Sequence, residues 1–256
     1  MRKRIYYEHP LNERIRSFLR LEFLFKQVDY SINGTSVWNS RAALETILEI
    51  QNLVGRSDLK TEILKELERH TQSLARLQKN PQVDHARLNV VLDELDRLID
   101  LIFTNNQPFG IELKLNEFLN MIRQRTSVPG GTCEFDLPGY HQWLQRPSEE
   151  RIRCLTQWLD SFSVLQTAIL LILKLIRESA SPHWELAENG FFQRNLDPNN
   201  PCQILRIALP SEVDYFPEIS AGKHRFTIRF LRQEQYDNRP QQVHEDVEFE
   251  LACCIL

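Results

Sequence analysis

The sequence lacks the short motifs that mark most enzymes. It contains no glycine-rich phosphate loop, no HExxH zinc motif and no GxSxG nucleophile motif. Its acidic residues are spread along helical segments beside basic neighbours, which is the pattern of solvated helix faces. A hydrolase whose site is assembled from distant residues stays open as an alternative. No local pattern predicts one, so we expect no enzymatic activity and no cofactor.

Cysteine is scarce and forms no motif. The five cysteines include no CxxC pair and lie at Cys133, Cys154, Cys202, Cys253 and Cys254. An odd, scattered set is typical of reduced thiols in a cytosol. Two adjacent thiols leave a zinc site unfilled, so we expect no bound metal. Cys253 and Cys254 end a predicted strand, and we expect one to point inward and one outward.

Long apolar runs are also missing. The longest, 168–173, ends at Lys174 and is too short to span a bilayer. The basic start, 1–8, has no apolar segment after it and is not typical of a signal peptide. We therefore expect a cytoplasmic protein with no membrane insertion.

The chain has no excess of positive charge, since its formal net charge is -4 over 256 residues. Non-specific nucleic-acid binding needs many cations against phosphates, so a weakly acidic chain is a poor candidate for it. Any basic surface must be local. A nucleic-acid-binding adaptor built on a local basic patch is the second alternative, although we expect no nucleic-acid partner.

The patterns that are present predict an α+β protein, with a mainly α-helical domain and a smaller antiparallel β-sheet domain. Apolar residues recur with helical spacing over most of 11–182 and alternate with a period of two after Pro182. We expect an entering strand at 1–10 that joins the β domain, an α-helical domain at 11–182 and a β-strand domain at 183–256. Within the helical part we expect one continuous fifth helix from Leu113 to Arg125.

Two long amphipathic segments, Asp58 to Asn80 and Asp84 to Phe103, are joined by a short turn containing Pro81. They should fold back as an antiparallel pair, with His70 packed on the apolar stripe. Because the pair has more apolar positions than a lone hairpin covers, we predict a homodimer with helical contacts.

Two predicted elements, one helix and one strand, each have a pair of basic residues on the same face. Arg16 and Arg20 are four apart on the first helix, where two like charges repel. Arg225 and Arg229 share one face of a strand, with Lys223 in the same register. Each pair indicates either an anion-binding face or a compensated surface.

For the two arginines on the strand, the compensated surface has candidate acidic partners. If it pairs with the last strand, its arginines face Glu248 and Glu250 across the sheet. His141 follows a rigid Leu137-Pro138 turn that can hold it nearby.

Six groups of residues resemble one family in their order and spacing. They are Glu8-His9-Pro10-Leu11-Asn12-Glu13 with Arg16 and Leu19-Arg20; Glu62-Ile63-Leu64-Lys65-Glu66-Leu67; Arg123-Gln124-Arg125 with Pro129-Gly130-Gly131; Phe135-Asp136-Leu137-Pro138 with His141 and Trp143; Ile219-Ser220 with Arg225-Phe226 and Ile228-Arg229-Phe230; and Phe249-Glu250-Leu251-Ala252-Cys253-Cys254. With these residues the sequence resembles the ZapD family, the FtsZ-associated cell division proteins of bacteria.

The resemblance implies a non-enzymatic cytoplasmic homodimer with a helical and a β domain. Such a protein is recruited to the midcell division ring, binds the C-terminal tail of FtsZ and bundles its filaments during septation. The family's basic cluster maps onto Arg16, Arg20, His141, Arg225 and Arg229, and the register of the strand adds Lys223. A further basic residue is expected on the fifth helix, where Glu117 stands instead. We predict that the basic residues converge on one pocket for acidic residues of the FtsZ tail.

Overall fold

The computed structural model of the chain describes residues 3–55, 58–105 and 107–256, so residues 1 and 2 of the predicted entering strand lie outside the described residues. The helices are α1 (Glu13–Ile32), α2 (Val37–Val54), α3 (Leu59–Ala75), α4 (His85–Thr104), α5 (Ile111–Leu115), α6 (Glu117–Thr126), α7 (Pro138–Leu144), α8 (Ser148–Asp160) and α9 (Ser163–Glu178). The strands are β1 (Arg4–Pro10), β2 (His183–Ala187), β3 (Phe191–Asn195), β4 (Ile204–Pro210), β5 (Tyr215–Ala221), β6 (Arg225–Arg232), β7 (Gln241–Gln242) and β8 (Val247–Cys254). The predicted α+β class is confirmed.

The chain divides into two compact units. The β unit comprises Met1–Arg16 and Leu173–Leu256, and the helical unit comprises Ser17–Ile172. Both boundaries fall inside a helix, α1 and α9, whereas the sequence places them at residues 10 and 182. The sequence-based domain limits stay a prediction.

The β unit contains two packed sheets rather than the single small sheet expected from the sequence. One sheet has the order β1-β4-β8-β2, and the other has β3-β6-β5 with β7 paired to β6. Alternate residues of both sheets meet in one apolar core, which includes Leu205, Phe226, Phe230 and Phe249. This burial follows from the period-two pattern, because every second side chain of a strand points to the same face.

The two sheets are joined by a tight hairpin between β2 and β3. Its two central residues, Asn189 and Gly190, have φ of 50° and 69°, as a type I′ turn requires. A Cβ at Gly190 would lie 2.2 Å from the backbone oxygen of Val243. Glycine is therefore required here both for its backbone conformation and for the close approach of Val243, the residue after β7.

The pairing of β6 decides between the two interpretations of its arginines. β6 pairs with β3, β5 and β7, while β8 lies in the other sheet. The alternative in which β6 pairs with the last strand, so that its arginines face Glu248 and Glu250, is therefore wrong. Glu250 instead forms an ion pair of 2.6 Å with Arg4.

In the helical unit, α3 and α4 pack against each other as predicted. The side chain of Asp84 accepts a hydrogen bond of 3.1 Å from the backbone nitrogen of Arg87 and so caps α4, whereas Asp58 makes no capping bond at α3. His70 is fully buried on α3, with its Nε2 3.6 Å from Oε2 of Glu66. Its predicted place on the packed stripe is confirmed.

The continuous fifth helix predicted at 113–125 is wrong, because two helices, α5 and α6, meet at Asn116. The extended backbone of Asn116 ends α5, and its side chain accepts a hydrogen bond of 3.1 Å from the nitrogen of Leu119. Glu117 follows in the first turn of α6, where a carboxylate is stabilised by the helix dipole.

No single helix in the described part of the chain is long and apolar enough to cross a membrane. Taken as one pair, α8 and α9 would be long and apolar enough, but the two helices are bent by 64° relative to each other.

Candidate functional site

The first group of basic residues lies on the outer face of β6. Phe226, Ile228 and Phe230 fill the core between the sheets, so Arg225 and Arg229 point outward. Both arginines are exposed. The predicted separation of the two faces of this strand is confirmed.

Neighbouring strands add aromatic rings and one acid to this face. Phe191 on β3 and Glu218 on β5 are both opposite Arg229. Phe216 on β5 is opposite Leu231, on the same outer face. We call Phe191, Phe216, Glu218, Arg225 and Arg229 the basic sheet face.

The two arginines of the basic sheet face differ in their partners. Arg229 donates a hydrogen bond of 2.8 Å from Nη2 to Oε2 of Glu218, and both side chains are about half exposed. Arg225 makes no ion pair with any described residue. Lys223 is exposed in the turn between β5 and β6 and makes no ion pair within the described part of the chain either.

The second group lies on α1. Arg16, Arg20, Phe23 and Tyr30 follow at steps of four, three and seven residues, which draws one stripe along the helix. Phe23 and Tyr30 are 65% and 82% exposed. We call these four residues the α1 stripe.

The two arginines of the α1 stripe also differ. Nε of Arg16 lies 3.1 Å from Oε1 of Glu13, whereas Arg20 is exposed and has no ion-pair partner among the described residues. Burial and the charge of Arg16 both lower the pKa of His9, so His9 adds no positive charge near neutral pH.

His141, the third predicted basic position, is presented by an aromatic cluster of the helical unit. Its neighbours Tyr140 and Trp143 pack with Phe118 and Trp158, with ring centroids 5.8 to 6.3 Å apart. Burial raises the pKa of Tyr140, which stays neutral. The cluster holds α7 in place, so His141 keeps a fixed position on it.

The imidazole of His141 is partly exposed, and its Nδ1 lies 3.8 Å from Oε2 of Glu134. It therefore resembles Arg16 and Arg229 in having a carboxylate nearby. Three of the six predicted basic residues thus have an acidic neighbour, and the other three, Arg20, Lys223 and Arg225, have no ion-pair partner in the described residues.

The structure brings Arg225 and Arg229 together on one sheet face and Arg16 and Arg20 on one helix, while His141 lies on a separate helix, α7. Their convergence into one pocket stays a prediction. Sequence reasoning missed the aromatic residues beside each pair. Phe23 carried a readable signal, because it follows Arg20 at helical spacing. No such sequence signal marked the residues on neighbouring strands, because only the order of the strands places them beside the arginines. These residues are Phe191, Phe216 and Glu218.

No group of three or more His, Cys, Asp and Glu side chains able to hold a metal ion occurs among the described residues.

Comparison with known proteins connects these surfaces to a family. A family model described as ZapD, a cell division protein, matches residues 19–229. The chain belongs to the ZapD family of cell division proteins. The match to the ZapD model spans Arg20, His141, Lys223, Arg225 and Arg229 and begins three residues after Arg16.

Proteins named cell division protein ZapD are similar over nearly their whole length. That of Methylococcus capsulatus is 48% identical over 256 residues, which is 100% of both chains. That of Coxiella burnetii is 40% identical over 251 residues, 98% of this chain and 97% of the other. That of Cupriavidus necator is 39% identical over 251 residues, 98% and 99% of the two chains. Membership of the ZapD family therefore rests on the whole chain and includes the segment with Arg16.

Proposed function

We propose that the chain is a non-enzymatic cell division factor that binds the C-terminal tail of FtsZ and bundles FtsZ filaments at the division ring. It would act as a cytoplasmic homodimer at midcell. The proposal is carried by two arginines, Arg20 and Arg225, which have no ion-pair partner in the part of the chain that the structure describes. Each lies on a surface that also has an exposed aromatic ring.

The charge pattern suits a short acidic peptide. Arg225 and Arg20 have no ion-pair partner among the described residues, so an incoming carboxylate need not displace an existing ion pair. A charge-assisted hydrogen bond to an arginine contributes about 1.5–3 kcal/mol when it is shielded from water and much less when it is exposed. Two or three such contacts give a weak, salt-dependent interaction with the tail.

The aromatic residues provide the shielding. Phe191 beside Arg229, and Phe23 beside Arg20, are exposed on the same faces as the cations. An apolar side chain of the tail that packs on such a ring removes water from the neighbouring ion pair and strengthens it. A peptide with acidic and apolar residues therefore fits these faces better than a polyanion does.

Bundling requires at least two tail sites on one particle. A two-fold homodimer supplies them, and two weak contacts then act together through effective concentration. The α3–α4 pair leaves apolar side chains exposed for such an interface, with Val90 at 68% and Phe103 at 72%.

The nucleic-acid alternative is less well supported. A net charge of -4 disfavours contact with a phosphate backbone.

Cosedimentation with polymerised FtsZ tests the proposal. We expect the chain to pellet with FtsZ filaments, to increase light scattering by forming bundles, and to release them as the salt concentration rises. It should not pellet with FtsZ that lacks its C-terminal tail. Equal pelleting with full-length and tail-less FtsZ would rule out the tail as the binding partner, and duplex DNA in place of FtsZ tests the alternative directly.

From the ion pair between Arg229 and Glu218 we predict a variant that binds the FtsZ tail more tightly. Glu218→Gln removes the competing carboxylate and frees Arg229, so the FtsZ tail peptide should bind about two- to fivefold more tightly, in line with up to about 1 kcal/mol for an exposed pair. Fluorescence anisotropy of a labelled tail peptide measures this change.

Glu212→Gln is the matched control, because Glu212 is an exposed acid of the same unit without an ion pair among the described residues. If both variants bind the peptide equally, the ion pair with Glu218 does not restrain Arg229.

A further inference from the structure

One face of the sheet β1-β4-β8-β2 is turned away from the apolar core, and the proposed tail binding does not use it. On β8, Phe249, Leu251 and Cys253 contact the core, so Glu250 and Cys254 belong to the opposite face. The prediction that Cys253 and Cys254 point to opposite faces is therefore confirmed. We call the face with Glu250 the outer face of this sheet.

The outer face contains a pocket of about 80 Å³, which lies within the β unit. The register puts Tyr6 of β1, Ala208 of β4 and Glu250 of β8 side by side in one row across the sheet. Ala208 and Ala252 have short side chains, which leaves a hollow between the larger residues around them. Its lining includes Arg4, Tyr6, Arg177, Arg206, Ala208 and Glu250. We call this hollow the arginine pocket.

The lining of the arginine pocket is positively charged, since it has three guanidinium groups and one carboxylate. Arg4 donates a hydrogen bond of 2.6 Å from Nη1 to Oε2 of Glu250. Glu8, opposite Arg206 on the neighbouring strand, accepts hydrogen bonds of 2.8 and 2.7 Å from Arg177 and lies 3.2 Å from Nε of Arg206. Three arginines and two glutamates give the cluster a net charge of +1.

Two of these arginines keep unused hydrogen-bond donors within the described part of the chain. Arg4 uses Nη1 alone, and Arg206 is ion-paired with Glu8 but donates no hydrogen bond to a described residue. The guanidinium of Arg206 lies over the ring of Tyr6, 4.2 Å from its centroid, which holds it in place. A guanidinium has several N–H donors in a rigid plane, so the wall presents oriented donors to a ligand.

We propose that the arginine pocket binds a phosphate group, either free inorganic phosphate or the phosphate of a small metabolite. The guanidiniums come from three elements, with Arg4 on β1, Arg206 on β4 and Arg177 on α9. The tetrahedral oxygens of a phosphate accept hydrogen bonds from several directions at once. A planar carboxylate is satisfied by one guanidinium fork, as Glu8 is by Arg177. The excess positive charge of the cluster favours an anion in this place.

The size of the pocket suits a single phosphate group. A cavity of about 150 Å³ holds a benzene ring. A pocket of about 80 Å³ therefore has room for a phosphate but not for a nucleoside, which would stay outside beside the half-exposed ring of Tyr6. The basic sheet face belongs to the other sheet, so the inference does not depend on FtsZ binding.

Isothermal titration calorimetry of the full chain with inorganic phosphate, at constant ionic strength, tests the proposal. We expect saturable binding in the millimolar range or tighter, and a higher unfolding temperature in phosphate, because a ligand of the folded state stabilises it. AMP is the second probe. Tighter binding of AMP than of phosphate would assign a phosphorylated metabolite, and equal or weaker binding would assign free phosphate. Adenosine that binds as tightly as AMP, or acetate that binds as tightly as phosphate, would overturn the assignment of a phosphate group.

Arg4→Gln removes one cation of the lining and should weaken phosphate binding about five- to tenfold. Arg194→Gln is the matched control. Arg194 also has one ion pair of 2.6 Å, with Glu185, and its side chain is 41% exposed against 43% for Arg4. It lies on β3 in the other sheet, so its replacement should leave phosphate binding unchanged.

Ala208→Val tests the pocket without changing a charge. The larger side chain fills part of the hollow, and a β-branched residue suits a strand. The variant should unfold at nearly the temperature of the parent chain without phosphate and bind phosphate at least about tenfold more weakly. A parent chain without saturable phosphate binding in the millimolar range would overturn the proposal, as would equal binding by the parent chain, Arg4→Gln and Ala208→Val.

Discussion

Replacing Arg225 by glutamate should abolish pelleting and bundling of FtsZ while leaving the fold intact. The change removes a cation without an ion-pair partner in the described structure and puts an anion where the acidic tail is proposed to bind. The loss of one shielded contact costs about 1.5–3 kcal/mol, and the new repulsion adds to it. Cosedimentation and light scattering with FtsZ measure the loss.

Stability should hardly change in this variant, because the side chain of Arg225 is exposed and makes no ion pair with a described residue. Thermal unfolding and sedimentation should match those of the parent chain. Arg239→Glu is the control. Arg239 is an exposed arginine in the loop between β6 and β7, and the same charge change there should leave FtsZ binding unchanged. If Arg225→Glu and Arg16→Glu both fold and still bundle FtsZ like the parent chain, the tail binds elsewhere.

Arg225 is a sharper test than Arg229. Glutamate at position 229 would face Glu218, which now forms an ion pair of 2.8 Å with Arg229. Two like charges on neighbouring strands destabilise the sheet, so reduced binding by that variant would mix a local effect on folding with the loss of a contact.

The sequence predicted the direction of the β6 side chains because strand geometry is local. Alternation of Phe226, Ile228 and Phe230 with the arginines determines which face is buried, whichever strands lie alongside. The acidic partner of Arg229, Glu218, lies on the preceding strand, whereas Glu248 lies on a strand of the other sheet, and the period-two pattern alone does not determine which strands pair. The interpretation with Glu248 and Glu250 failed for that reason.

A local side-chain hydrogen bond explains why the helix is interrupted at Asn116, which the apolar pattern did not predict. The apolar spacing from Leu113 to Ile122 is compatible with one helix, and the pattern alone predicts one. The Asn116 side chain offers its own acceptor to the nitrogen of Leu119, and this capping bond competes with continuation of the helix. Asparagine at that place was the one signal of the break.

A charge placed on the exposed apolar side of α4 should separate tail binding from bundling. Val90 and Leu101 lie eleven residues apart, three helical turns, and therefore on the same face of α4, where they are 68% and 40% exposed. In the double variant Val90→Asp, Leu101→Asp, two carboxylates would enter the predicted helical interface from each chain. Burying unpaired charges there costs several kcal/mol, enough to dissociate a dimer of micromolar affinity.

Analytical ultracentrifugation at micromolar concentration should find the parent chain as a dimer and the double variant as a particle of 30.3 kDa. The variant should still bind the isolated tail peptide, because the basic sheet face and the α1 stripe are unchanged, but it should no longer bundle filaments, because one site cannot crosslink. Tyr236→Asp is the control, since Tyr236 is 98% exposed in the loop after β6 and its replacement should alter neither property. A monomeric parent chain that bundles FtsZ would contradict the two-site mechanism. A double variant that stays dimeric would place the interface on a surface other than this side of α4.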